Sequence, residues 1–136
     1  MKIAISGTAS QGKTTLLNHF LRRWPMYKTS QKTYRDIITE NNLSHSSSTT
    51  AETQLLILDW MTKTLKENKN EKYFVYDRCP LDNLVYTLHA NERNLISDEI
   101  TAATIDIVKV SLKDLDIIFW LKYDPSIKVV KDGLRD

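Results

Sequence analysis

The octapeptide Gly7-Thr8-Ala9-Ser10-Gln11-Gly12-Lys13-Thr14 constrains this chain more than any other feature, and it holds two of the three glycines in 136 residues. It fits the spacing G-x-x-x-x-G-K-[ST], in which glycines let the backbone curl until successive amides converge on one anion-sized cavity. Its context is the one such a loop requires. Lys2 to Ser6 is a short β-prone apolar run that stops at Gly7. From Lys13 onward, Leu16, Leu17, Phe20, Leu21 and Trp24 recur at helical spacing until Pro25 closes the run. A helix starting there aims its positive end at the same cavity. We therefore expect a phosphate site for ATP built from Gly7, Ser10, Gln11, Gly12, Lys13, Thr14 and Thr15. Lys13 is expected to reach the β- and γ-phosphates, and the Thr14 hydroxyl to ligate Mg2+.

The rest of the chain supplies the layers around such a loop. Tyr73 to Tyr76 reads as a second buried strand ending abruptly at Asp77, and Ile117 to Leu121 as a third. Between the first and second strands the spacing predicts a short helix or turn around Tyr34, Ile37 and Ile38, and a helix from Leu55 to about Lys69. A further helix is expected over Leu81 to Ala90, and another from Ser97 to about Lys113. In the latter, Ser97 with Asp98 and Glu99 makes a hydroxyl cap and an acidic first turn. The Ser/Thr cluster from His45 to Thr50 reads as a loop ending in a helix cap. Strands alternating with helices predict a single domain over residues 1–136, a three-layer α/β/α fold with a mostly parallel sheet.

Composition narrows the partners. A net charge of +2 with no long Lys/Arg run gives no support to nucleic acid as the main partner. Cys79 is the only cysteine, which excludes an intrachain disulfide and makes a reducing cytoplasm the expected setting. No window approaches the roughly 20 apolar residues of a membrane span.

A second constellation follows the second strand, at Tyr76-Asp77-Arg78-Cys79-Pro80. Open α/β sheets place ligand chemistry beyond the carboxyl ends of their strands, where Asp77 falls; the plain alternative is an Asp that caps the next helix. Motor ATPases commonly follow a strand-end Asp with Glu to polarise water. Here Arg78 follows, and its permanent charge makes it a poor base. An Asp–Arg pair suits transfer to a hydroxyl or phosphate acceptor, with Asp77 taking a proton or ordering the metal shell and Arg78 holding phosphate oxygens. A GTPase is disfavoured, because no D-x-x-G element exists and Asn68-Lys69-Asn70-Glu71 carries Glu where guanine recognition needs Asp.

Together, GTASQGKT at 7–14, DRCPLDN at 77–83 and DGLRD at 132–136 resemble the nucleoside and nucleotide kinase group of P-loop kinases. The nearest pattern is that of ribosylnicotinamide kinase-like domains, including small phage-encoded ones; thymidylate and deoxynucleoside kinases are more distant. The resemblance implies a kinase dependent on ATP and Mg2+ that acts on a small nucleoside, nucleotide or ribosyl acceptor. It gives Lys13, Asp77, Arg78 and Arg135 catalytic roles, with Arg135 on a lid that opens at Asp132. It gives Thr14 and Asp77 to the metal, and Arg78 and Asp77 to the acceptor. Kinases of this type continue past the lid, whereas this sequence stops at Asp136. The expectation is a form truncated after the start of the lid, a differently held base, or ATP binding with little turnover. A regulatory nucleotide-binding module and a simple ATPase are the alternatives.

Among the other candidates, Arg35 lies where an anionic acceptor would enter, or else is a solvated surface residue. His19, His45 and His89 show no metal-ligand spacing. Cys79 is expected to be a small buried residue, and Trp24, Trp60 and Trp120 to be core.

Overall fold

In the computed structural model, which describes residues 1–8, 11–43 and 49–127, the N-terminal apolar run forms the central strand of a parallel sheet. Strand β1 (Lys2–Gly7) pairs on one side with β2 (Phe74–Asp77) and on the other with β3 (Ile117–Leu121). The register sets Ile5 against Asp77 and Gly7 against Leu121. All three strands thus deliver their carboxyl ends to one edge, where the loop from Gly7 begins.

Alternation along β1 divides the core. Ile3 and Ile5 face one side with Val75 and Leu17, while Ala4 faces the other with Phe74, Tyr76 and Leu65. Burial on both faces is what a parallel sheet demands. Helix α1 (Lys13–Arg23) covers the first face through Leu17, Leu16, Phe20 and Leu21. Leu65 of α3 (Ala51–Glu67) and Leu81 of α4 (Pro80–Glu92) cover the second, with α5 (Asp98–Ser111) packed on α4. Helix α2 (Tyr34–Asn41) leans on α3 through Ile38, Ile57 and Met61. The three-layer α/β/α expectation is met.

Caps explain the helix boundaries. The Ser97 hydroxyl accepts from Ile100 N–H, as its sequence context predicts, and Thr50 does the same for Thr53. Thr33 and Asp36 form a reciprocal capping box that starts α2. Helix α5 stops two residues short of Lys113 and tightens into a 3-10 turn over Leu112–Asp114. Helix α3 ends at Glu67 rather than Lys69.

The tryptophan expectation needs correction. Trp60 does pack against the cluster of Ile38, Ile57 and Met61. Trp24 is 43% exposed, because it lies one residue past the end of α1, with its ring 4.8 Å from that of Phe20. Trp120 is 49% exposed on edge strand β3. Among the described residues no helix is long and apolar enough to cross a membrane. Ser10, Arg135 and the lid segment 132–136 lie outside the described residues, as do positions 44–48 of the Ser/Thr cluster.

Candidate functional site

The phosphate loop starts and ends on glycines whose backbone geometry other residues rarely adopt. Gly7 has φ 143°, and a Cβ there would stand 2.7 Å from the Leu121 carbonyl oxygen. Gly12 has φ 87° and sits at the N-cap of α1, where it offers no side chain to the free amides of the first turn. Those amides and the helix dipole are left for an anion. Lys13 is buried, and its Nζ donates to the Thr8 carbonyl of its own loop. Burial, and then the Arg78 charge, lower the Lys13 pKa to about 8, against the pull of Asp82 and Asp77. Thr14 and Thr15 stand exposed on the first turn.

Beside this loop, the end of β2 carries the Asp–Arg pair. Asp77 is partly buried, and its carboxylate accepts no hydrogen bond from the described residues. Burial raises its pKa more than Arg78 and Lys13 lower it. Asp77 does not cap α4; Cys79 takes the N-cap position. Asp77 instead lines a small cleft with Thr29, Ser30, Lys32, Thr33 and Arg78.

Arg78 bends the chain sharply, with φ 73° and its N–H donating to the Ile5 carbonyl at 2.9 Å. A left-handed conformation at a non-glycine residue is a strained geometry, held only where its surroundings impose it. The surroundings here are specific. The guanidinium is buried between the rings of Tyr34 at 4.8 Å and Tyr86 at 5.8 Å. Its Nη1 donates to the Gly7 carbonyl at 3.2 Å and to Asp82 Oδ1 at 3.5 Å. The rings of Tyr34 and Tyr86 also help line a smaller cavity with Gln54 and Asn83.

Asp82 is the residue that sequence reasoning missed. Its side chain is 3% exposed, and it accepts from Ser6 Oγ at 2.7 Å, Gly7 N at 3.1 Å and Cys79 N at 2.9 Å. With Arg78 that makes four donors, two from the start of the phosphate loop and two from the β2–α4 corner. One buried carboxylate therefore ties the two halves of the site together. The signal was present as capping-box spacing, with Cys79 at the N-cap and Asp82 three residues on. The contact to Ser6, 76 residues away, was not legible from spacing.

Of the other expected residues, Arg35 lies on α2, half-buried, and its charge acts on both Lys13 and Asp77. Gln11 is buried and faces the end of β3 rather than solvent. Cys79 is buried as expected, and burial raises its thiol pKa.

Comparison with known proteins gives the following. A family model described as an AAA domain matches residues 2–136. No curated protein matches the chain. Among solved structures, a deoxyadenosine kinase from M. mycoides with products dCMP and a flexible dCDP is 24% identical, with TM-score 0.69. That match covers 91% of this chain and 65% of that one. The same kinase with bound dATP is 21% identical, with TM-score 0.62 and coverages of 91% and 66%. A thymidylate kinase from Candida albicans is 20% identical, with TM-score 0.61 and coverages of 91% and 63%. The chain spans less than two thirds of the length of each of these structures, and the likeness is one of fold.

Proposed function

The chain belongs to the AAA-domain family of P-loop proteins, and from that premise we propose that it transfers the γ-phosphate of ATP to a small nucleoside, nucleotide or ribosyl acceptor. The observation that carries this reading is the Ile5–Asp77 register. It sets beside the glycine loop an arginine and a strand-end carboxylate that accepts no hydrogen bond among the described residues, and both line a cleft. The kinases of similar fold and the sequence resemblance to ribosylnicotinamide kinase-like domains support the same acceptor class.

Phosphoryl transfer asks the protein mainly for positioning and electrostatics. Lys13 and the amides of Ser10, Gln11, Gly12, Thr14 and Thr15 hold the phosphates; the Gly7 N–H, expected among them, is taken by Asp82 Oδ1 at 3.1 Å, which leaves Gly7 to open the loop. The Thr14 hydroxyl and the Asp77 carboxylate are hard oxygen donors of the kind Mg2+ takes, and neither is used by another described side chain. When bound, the ion neutralises charge on the transferring group. Asp77 accepts the proton of the acceptor hydroxyl or orders the metal shell. Among the described residues the Arg78 guanidinium donates through Nη1 alone, and its other nitrogens are proposed to take an acceptor oxygen. Arg35 meets an anionic acceptor from α2, and Arg135 is assigned the closing of the lid. Water exclusion by that closure would favour transfer over hydrolysis. The proposed setting is the cytoplasm.

The test is to incubate the protein with Mg-ATP and a panel of nucleosides and nucleotides while following ADP. Acceptor-dependent ADP supports the kinase. Lys13→Ala should weaken triphosphate binding by roughly a hundredfold, the size of a charge-assisted contact of up to ~3 kcal/mol; unchanged affinity would refute the phosphate site. A second reading is favoured by the family description, which fits a simple ATPase. It requires hydrolysis that no acceptor accelerates. Tight ATP binding without turnover would mark a regulatory module instead.

A further inference from the structure

The phosphate loop is backed at two points, by β3 and by the segment that follows it, and the second contact is made by a side chain. At the first, Gly7 lies against Leu121, close enough that a Cβ would collide with its carbonyl. At the second, the Asp124 N–H donates to Gln11 Oε1 at 2.7 Å, across 113 residues of sequence. Gln11 is only 6% exposed, and its Nε2 is buried without an acceptor among the described residues. A glutamine in a phosphate loop could as easily point to water. Here its carboxamide gives up solvent for one backbone partner, an arrangement expected only where that partner matters.

The partner is itself organised. The Asp124 carboxylate accepts from Ser126 N at 2.9 Å and Ser126 Oγ at 2.7 Å, and Ile127 N donates back to the Asp124 carbonyl at 3.2 Å. Asp124 to Ile127 is thus a closed turn whose one long-range hydrogen bond among the described residues runs to the phosphate loop.

We propose that Gln11 is a positioning residue that locks the phosphate loop to the exit of β3, so that a bound triphosphate fixes the Asp124–Ile127 turn as well as the loop. The proposal rests on the phosphate-loop reading for its nucleotide half and on the Gln11–Asp124 geometry for the latch itself. Coupling follows because loop and turn share one hydrogen bond. A ligand that narrows the conformations of Gln11 also narrows those of the amide it accepts from.

Hydrogen exchange of the Asp124 amide, read by NMR, tests both halves. In the ligand-free protein, Gln11→Leu should speed that exchange about tenfold, the most a single ordinary hydrogen bond contributes, and leave the β1–β3 ladder amides unchanged. Gln11→Glu keeps the acceptor oxygen and should preserve Asp124 protection. It also places a negative charge in the loop, so its ATP affinity should fall, which separates the latch from phosphate binding. Mg-ATP should slow Asp124 exchange in the natural protein and leave it unaffected in Gln11→Leu. Equal Asp124 exchange in the natural protein and Gln11→Leu overturns the latch. Exchange in the natural protein that ignores bound Mg-ATP overturns the coupling, and needs no variant to fold. Absence of Mg-ATP binding by calorimetry overturns the nucleotide reading instead, while ligand-free protection still decides the latch.

Discussion

Two aspartates follow two strands of this sheet, and their surroundings make them different chemical objects. Asp77 ends β2, whose Phe74, Val75 and Tyr76 are 5% exposed or less. Its carboxyl is pushed up by burial and accepts no hydrogen bond from the described residues. Asp124 lies three residues past β3, whose Phe119 and Trp120 are nearly half exposed. Its carboxyl is pulled down by the Ser126 hydroxyl and amide. One is a desolvated carboxylate beside the glycine loop, with no hydrogen-bond donor among the described residues; the other is a solvated turn former. Both strands pair in parallel with β1, so strand pairing alone does not set the surroundings of the carboxyl at each end. Coverage sets them, because low dielectric is what makes a charged carboxylate costly.

The largest expected effect tests that contrast directly. Asp77→Asn keeps the shape and removes the base, and should lower acceptor phosphorylation by about 10²–10⁴-fold while Mg-ATP still binds. Retained turnover would make Asp77 a bystander and erase the distinction from Asp124.

Next in size is Asp82, which holds the β2 corner to the loop. Asp82→Ala strands the buried Arg78 guanidinium and frees the Ser6, Gly7 and Cys79 donors, so urea unfolding should register a loss of about 3–5 kcal/mol. A loss below 1 kcal/mol would mean that the corner is held by packing instead.

The pH dependence sharpens the comparison with smaller effects. A carboxyl raised above its unfolded value binds extra protons in the native state, so the contribution of Asp77 is full in acid and is lost as pH rises through its raised pKa. Asp77→Asn should flatten that part of the stability profile. Lys13 works oppositely. Its native pKa of about 8 lies below its ordinary 10.5, so the native state binds fewer protons and stability should rise between those values. ATP phosphates should pull that pKa back up. Binding above pH 8 should then take up a proton, which calorimetry in buffers of different ionisation enthalpy would detect, and affinity should fall as pH climbs.

How much of this was legible follows from the range of each contact. The glycine loop could be read because Gly7, Gly12, Lys13 and Thr14 fall at one fixed spacing within eight residues. The three strands and the Ser97 cap were equally local. Asp82 was hidden because its meaning lies in Ser6 and Gly7, brought near only by the β1–β2 pairing. Gln11 was read as a phosphate contact, and its bond to Asp124 depends on β3 lying on the other side of β1. The core expectation held for Trp60 and failed for Trp24, which lies just past the end of α1, and for Trp120, for a related reason. An apolar run predicts a strand but not which of its faces the fold will cover.

Trp120 offers the smallest test of the comparison. If coverage separates β3 from β2, a large ring on the exposed strand contributes little to the core. Trp120→Ser should then change stability by no more than ~0.5 kcal/mol in urea unfolding, as surface substitutions do. The same reasoning makes Val75, fully buried on β2, intolerant, and Val75→Ser should be strongly destabilising beside it. A Trp120→Ser loss approaching that of Val75→Ser would show that the outer side of β3 is packed in solution. In that case the difference between the two strand ends would owe nothing to burial, and the basicity of Asp77 would need another source.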